Sequence, residues 1–245
     1  MAVYDPIAEQ YKQIRENVAY VYVEKYTYLS KLGNITGKSI LDVGCGEGIF
    51  SRIFKQEGAA RVVGVDISSK MIELAKEEEA RRPLGIEYIV GDMRELGKIG
   101  SFDLVGAAFS LNHAKTKEEL REMCQTIYEN LKPNGRFVCL NNNLEQTLES
   151  YERVTKYGCT KSTNSSLEEG SPISVYVFDI KGEKISIDDY YLSKESYEWA
   201  FREVGFKEIN WDKPMVSPEG IQKFGEEFWK DLLENPSMSL IECQK

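Results

Sequence analysis

Between Ser39 and Asn143 the chain repeats one pattern five times, a short apolar run followed by a turn or an amphipathic segment. The runs are "SILDVG", "ARVVGVD", "IEYIVGD", "FDLVGAAFS" and "RFVCLNNN". They show little apolar–polar alternation, so both faces of each strand must be covered. Strands of this kind separated by helices form a parallel sheet with helices on both sides. The helical punctuation agrees. Ser68 or Ser69 caps "SSKMIELAKEEEARR", which ends before Pro83, and Gly58 closes "GIFSRIFKQEG". Thr116 and Glu119 have capping-box spacing and open a helix to about Leu131, after which "KPNG" reads as a turn. Ligands of such sheets lie beyond the carboxyl ends of the strands, where strand order reverses. That selects Asp42 to Gly48, Asp66, Asp92 and the residues after Ala108.

The flanking regions read differently. Residues 6–32 are expected to be one helix, with Pro6 in its first turn and Gly33 as its stop. Residues 141–170 are polar and without clear period. "ISVYVFDI", the turn "KGEK" and "ISIDDYYL" predict a β-hairpin. A helix capped by Ser193 and stopped by Gly205 follows, then the strand "FKEINW", a helix opening at Ser217–Pro218, and the strand "SMSLIECQK". A length of 245 residues suits one domain with an insertion. Its expected parts are a helical cap (1–34), a core (35–140), a cover (141–192) and a segment that completes the sheet (193–245).

Net charge narrows the partners. Thirty-one basic against forty acidic residues give −9, which disfavours nucleic-acid backbones and anionic lipid. No apolar run is long enough to span a bilayer, and the polar start lacks a signal-peptide pattern. The five cysteines are scattered without a short-spaced pair, so neither a disulfide framework nor a metal site is expected. The cytoplasm is the expected compartment, and a monomer or homodimer the expected state.

The most specific stretch is "ILDVGCGEGIF" (residues 40–50). Gly44, Gly46 and Gly48 allow backbone to approach a ligand closely. Their G-x-G-x-G spacing is not the G-x-G-x-x-G of a dinucleotide fingerprint. Asp42 and Glu47 would repel a pyrophosphate and attract an ammonium group. Asp66, after the second strand, suits a ribose diol. Asp92, after the third, suits an adenine amino group, with Met93 packing on the ring. An ammonium, a ribose and an adenine without phosphate describe S-adenosylmethionine.

"LDVGCGEG", "VVGVDIS", "VGDM" and "LKPNGRF" resemble the successive motifs of class I S-adenosylmethionine-dependent methyltransferases, over roughly residues 35–140. The resemblance implies a Rossmann-like α/β fold, with a mostly parallel seven-stranded sheet, helices on both faces and the hairpin covering the active site. It also implies S-adenosylhomocysteine as product and, for donor contacts, Asp42, Gly44, Cys45, Gly46, Gly48, Asp66, Ile67, Asp92, Met93 and Phe109. Cys45 reads as small filler rather than a reactive thiol. "YDPIAEQY" resembles the entry segment of small-molecule members, which lays Tyr4 and Tyr11 over the donor.

His113, the only histidine, follows the fourth strand beside Asn112. There His113 is a candidate base and Asn112 a candidate orienting group. Tyr176, Phe178, Tyr190 and Tyr191 of the hairpin are candidates to stack on a flat acceptor, and Asp188 and Asp189 to bind a cation or act as base. The last third of the chain resembles, more distantly, a subgroup that includes toxoflavin synthase. That likeness favours N-methylation of a small planar molecule, with O-methylation open. The competing functions are methylation of a protein, nicotinamide-dependent hydride transfer and a non-catalytic donor-binding module.

Overall fold

The computed structural model describes residues 4–14, 17–163, 166–178 and 182–245. Helices α1 (Ala8–Ile14) and α2 (Lys25–Leu32) begin the chain. The single helix expected over 6–32 is interrupted, and its residues 15 and 16 lie outside the described residues. Tyr20–Glu24 winds as a wider π-helix. There the Tyr22 carbonyl accepts from Ser217 N–H at 2.8 Å, a donor from outside the helix. Tyr20 packs edge-on against Phe50, and Tyr22 against Phe224 and Trp229.

The alternating core follows as β1 (Ser39–Val43), α3 (Ile49–Gln56), β2 (Arg61–Asp66), α4 (Ser69–Arg81), β3 (Glu87–Val90), β4 (Phe102–Ala108), α5 (Lys117–Asn130) and β5 (Leu131–Asn142). Two expected caps are present. Ser68 accepts from Met71 N–H, and Thr116 from Glu119 N–H. "KPNG" falls inside β5 as an irregularity, with Asn134 at φ 60° and a register shift between Phe102 and Leu104. The segment expected to form a cover contains β6 (Cys159–Ser162), β7 (Pro172–Phe178) and β8 (Lys184–Tyr190). The chain ends with α6 (Lys194–Val204), β9 (Glu208–Asp212), α7 (Pro218–Phe224), α8 (Glu226–Glu234) and β10 (Met238–Gln244). Gly225, at φ 80°, divides α7 from α8 where one helix was expected.

The main sheet has seven strands in the order β3-β2-β1-β4-β5-β10-β9. All its pairings are parallel except those of β10 with β5 and β9. Strand alternation sends Ile40, Val62, Leu104 and Val138 into one core, against Tyr28 and Phe54. Leu41, Val63, Val105 and Phe137 enter the other, against Phe201. Burial on both faces explains the unbroken apolar runs. Order reverses between β1 and β4, so their carboxyl ends flank one crevice.

The expected hairpin is part of a separate three-stranded antiparallel sheet, β6-β7-β8. Its third strand, "CTKS", has no apolar run to announce it. Lys181 of the expected turn, and Asp179 and Ile180 of the expected strand, lie outside the described residues. Among the described residues no helix is long and apolar enough to cross a membrane.

Candidate active site

The loop after β1 is built around three left-handed glycines that do different work. Gly44 N–H and Cys45 N–H both donate to the Val65 carbonyl, at 2.8 and 3.0 Å, folding the loop over β2. A Cβ at Gly44 (φ 69°) would lie 2.4 Å from Ser110 Cβ. One at Gly48 (φ 83°) would lie 2.3 Å from the Tyr88 hydroxyl. Gly46 (φ 56°) has nothing within 4 Å of such a Cβ and borders open space. Gly44 and Gly48 are therefore glycines because of packing, and Gly46 because of what its backbone faces.

That space is a cavity of about 330 Å³ beyond the carboxyl ends of β1, β2, β3 and β4. Asp42 enters it from β1, with its Oδ2 accepting from Ser51 Oγ at 2.5 Å. Asp66 enters from β2 and accepts from Gly46 N–H through one oxygen and Ser68 N–H through the other, both at 2.8 Å. Burial pushes the Asp66 carboxyl above its usual range, and the two amides pull it back. Asp92 also lines the cavity. Arg94 grips it at 2.7 Å, which holds its carboxyl below the usual range, and Arg94 continues to Glu119 at 3.3 Å. Ile67 stands half-exposed at the cavity wall, and Met93 is buried beside it. Cys45 lines the wall too. Burial and the nearby acids Asp42, Asp66 and Glu47 raise its thiol well above the usual value, so it stays protonated and fills space.

The N-terminal segment closes the other side. Asp5 accepts from Ser68 Oγ at 2.6 Å, which pins the segment to the cap of α4. Tyr4 and Tyr11 line the cavity with their rings edge to face, 5.3 Å apart. Tyr4 Oη lies 3.2 Å from His113 Nε2. His113 Nδ1 lies 3.4 Å from Asp189 Oδ1 and 3.3 Å from the Asp188 carbonyl. Asp189 Oδ2 accepts from Asn142 Nδ2 at 2.7 Å, and Asn142 N–H donates to Asn112 Oδ1 at 3.2 Å. Asn112 thus sits buried behind this relay and lines neither cavity described here. Phe109 follows β4 at φ 59°, a conformation that costs a bulky residue on the order of 1–3 kcal/mol. The strained turn keeps Phe109 on the wall.

A second cavity, of about 80 Å³, adjoins the first across Tyr4, Tyr11 and Phe109. Val175, Val177 and Ile187 of the small sheet form its apolar wall. Val175 pairs with Ile187 across β7 and β8, so these branched residues share a face. Alternation puts Tyr176, Phe178 and Tyr190 on the opposite face. Neither they nor Tyr191 line either cavity. Tyr176 lies instead beneath the Lys184 ammonium and Tyr190 beneath that of Lys115. Asp189 and Lys161 supply the polar end of this second cavity. Lys161 carried no signal in the sequence, because it lies in a polar stretch whose strand has no apolar pattern.

Residues 40–135 match a family model described as a methyltransferase domain. Over 124 residues the chain is 32% identical to a ubiquinone biosynthesis O-methyltransferase of Coxiella burnetii, covering 49% of this chain and 51% of that protein. Over 132 residues it is 32% identical to a demethylmenaquinone methyltransferase of Lactococcus lactis, covering 51% and 50%. The chain spans about half the length of the curated relatives it matches. The crystal structure of an S-adenosylmethionine-dependent methyltransferase from Mesorhizobium loti superposes with a TM-score of 0.65 at 18% identity, over 95% of this chain and 100% of that one. At that identity the likeness speaks to the fold, which is Rossmann-like. The chain thus resembles methyltransferases in the core that the family model matches, and shares the fold of an S-adenosylmethionine-dependent methyltransferase.

Proposed function

We propose that the protein moves the methyl group of S-adenosylmethionine to an oxygen or nitrogen of a small planar molecule. The observation that carries this reading is the backbone opening at Gly46, bordered by Asp42 and Asp66 and facing the aromatic pair Tyr4 and Tyr11. This surround fits the donor. Each Asp66 oxygen spends one lone pair on an amide and keeps capacity for a ribose hydroxyl. Asp42 and the loop amides suit the amino-acid end, Ile67 and Met93 flank the place for adenine, and the tyrosine faces favour a cation.

The donor supplies an electrophilic methyl on a cationic sulfur. The lone pair of the acceptor forms the new bond to carbon, and the carbon–sulfur bond breaks with its electrons going to sulfur. His113 accepts the proton of the acceptor at Nε2, where Tyr4 now sits, and Asp189 steadies the resulting imidazolium at Nδ1. The name of the Coxiella burnetii relative, an O-methyltransferase of ubiquinone biosynthesis, supports an oxygen acceptor. The likeness of the last third of the chain to the toxoflavin synthase subgroup supports a ring nitrogen.

Titration calorimetry with S-adenosylmethionine, S-adenosylhomocysteine and NAD tests the donor. Saturable binding of the first two without NAD is the expected result, and binding of NAD alone overturns the proposal. A panel pairing phenolic with nitrogen-heterocyclic acceptors, read by S-adenosylhomocysteine release, then separates the two chemistries.

A further inference from the structure

The second cavity holds a cation that the methyl-transfer chemistry does not use. Lys161 Nζ lies at its polar end, and the residue is only 6% exposed. Two of its hydrogens go to neutral oxygens, Gln146 Oε1 at 3.0 Å and the Ser237 carbonyl at 2.8 Å. Among the described residues no carboxylate forms an ion pair with it. Asp189, the buried acid nearby, already spends Oδ1 on His113 and Oδ2 on Asn142. A buried ammonium held by neutral oxygens and one aromatic face, without an ion pair, is costly, and an aliphatic side chain would fill the space without that cost. The third ammonium hydrogen has no hydrogen-bond acceptor among the described residues.

We propose that Lys161 determines acceptor specificity, binding a small ring compound through an anionic oxygen such as a phenolate or enolate. The assignment rests on the larger cavity being the donor site, because the two cavities meet at Tyr4, Tyr11 and Phe109. The branched face of Val175, Val177 and Ile187 covers the ring, while Lys161 holds its oxygen near the His113–Asp189 pair. An anion there also balances the cation that burial otherwise penalises.

Acidity bounds the working range. Burial lowers the Lys161 ammonium to a pKa of about 8, against the opposing pull of Cys159 on its own strand and Asp189 on β8. Glu24 of the N-terminal helical segment also lines the cavity, and the Tyr151 ring lies 5.8 Å from Nζ. The cation, and with it the affinity for an anion, is present below that pKa and lost above it.

The test uses the full chain saturated with S-adenosylhomocysteine, probed with 4-nitrophenol and with 4-nitroanisole, which has no ionisable oxygen. Calorimetry reads both, and the absorbance of the ionised phenol reports its bound form. The nitrophenolate should bind about tenfold or more tighter than the anisole. Lys161→Met should remove that preference while leaving the anisole and S-adenosylhomocysteine affinities unchanged. Should the variant not fold, the wild-type protein still decides. Its nitrophenolate affinity must fall as pH rises through about 8, with that of the anisole flat. Equal binding of the two probes, or a preference that survives Lys161→Met, overturns the assignment. A nitrophenolate preference that Lys161→Met abolishes, in a protein that does not bind S-adenosylhomocysteine, would keep Lys161 as the anion site and sink the donor reading instead.

Discussion

The proposed donor end and the proposed acceptor end of this site are assembled by opposite strategies. At the donor end the acids are held by near neighbours. Asp66 accepts from Ser68 two residues on, Asp92 is gripped by Arg94 two residues on, and Asp42 accepts from Ser51 nine residues on. At the acceptor end most ties are long. Tyr4 meets His113 across 109 positions, His113 reaches the β8 backbone across 75, and Lys161 reaches Ser237 across 76. A site made of strand-end turns is set by local backbone geometry and folds wherever its sheet does. A site made of long ties depends on the small sheet, the N-terminal segment and the loop before β10 all docking. The difference predicts a donor end robust to changes in the cover, and an acceptor end sensitive to them.

The largest expected effect tests whether the donor loop is a packing device or a ligand device. Gly44→Ala drives a Cβ into Ser110 at a left-handed φ, and should cost about 3 kcal/mol of stability, seen as a lower urea midpoint. Gly46→Ala meets no atom and should cost about 1 kcal/mol through φ alone. Its methyl enters the cavity, so donor affinity should suffer more than stability. Equal stability losses in the two variants would erase the distinction.

The next effect lies at the acceptor end. His113→Ala should lower the maximal rate by about 100-fold for an acceptor that must lose a proton, with S-adenosylhomocysteine affinity unchanged. Asp189→Asn should give a smaller loss of the same kind. An unaltered rate across pH would remove His113 as base. Smaller again, Asp66→Ala should weaken donor binding by about 1–3 kcal/mol in calorimetry. Unchanged affinity would mean that the end of β2 does not hold the ribose.

The same contrast decides what could be read from the residues. The core strands, the caps at Ser68, Thr116, Ser193 and Ser217, and the acids of the donor end are local patterns; all four caps form, and Asp42, Asp66 and Asp92 line one cavity. The cover was only half legible. Alternation in "ISVYVFDI" and "ISIDDYYL" gives two strands but does not say which face turns inward. Aromatic size pointed to Tyr176, Phe178 and Tyr190, while the face that lines the cavity carries Val175, Val177 and Ile187. The strand containing Lys161 has no hydrophobic period, because the one residue it buries is that lysine. The helical break at Tyr20–Glu24 depends on Ser217, almost two hundred positions away, and no local signal encodes it.

The smallest effect is the sharpest test of whether the donor end is self-contained. Asp103 lies at the start of β4, at the opposite end of β1 and β4 from the cavity. It accepts from Ser39 N–H at 2.8 Å and Ser39 Oγ at 2.7 Å, and pairs with Lys132 at 2.9 Å. The Ser39 amide first, then Lys132, hold its carboxyl down to about 2, below the ordinary 3.8. A folded-state pKa below the unfolded one stabilises the protein above the ordinary value, and that stability is lost as pH falls from 3.8 towards about 2. The Asp103 side chain is 34% exposed, so solvent screening reduces the contribution to roughly 1 kcal/mol. Asp103→Asn should therefore lower the urea midpoint at neutral pH, with the gap to the wild type closing towards pH 2. Affinity for S-adenosylhomocysteine should not move, because the loop at the far end is tied to Val65 and Asp66 and not to the strand starts. A shifted affinity would show that strain at the base of β1 reaches the glycine loop, and that the donor end is as globally assembled as the acceptor end.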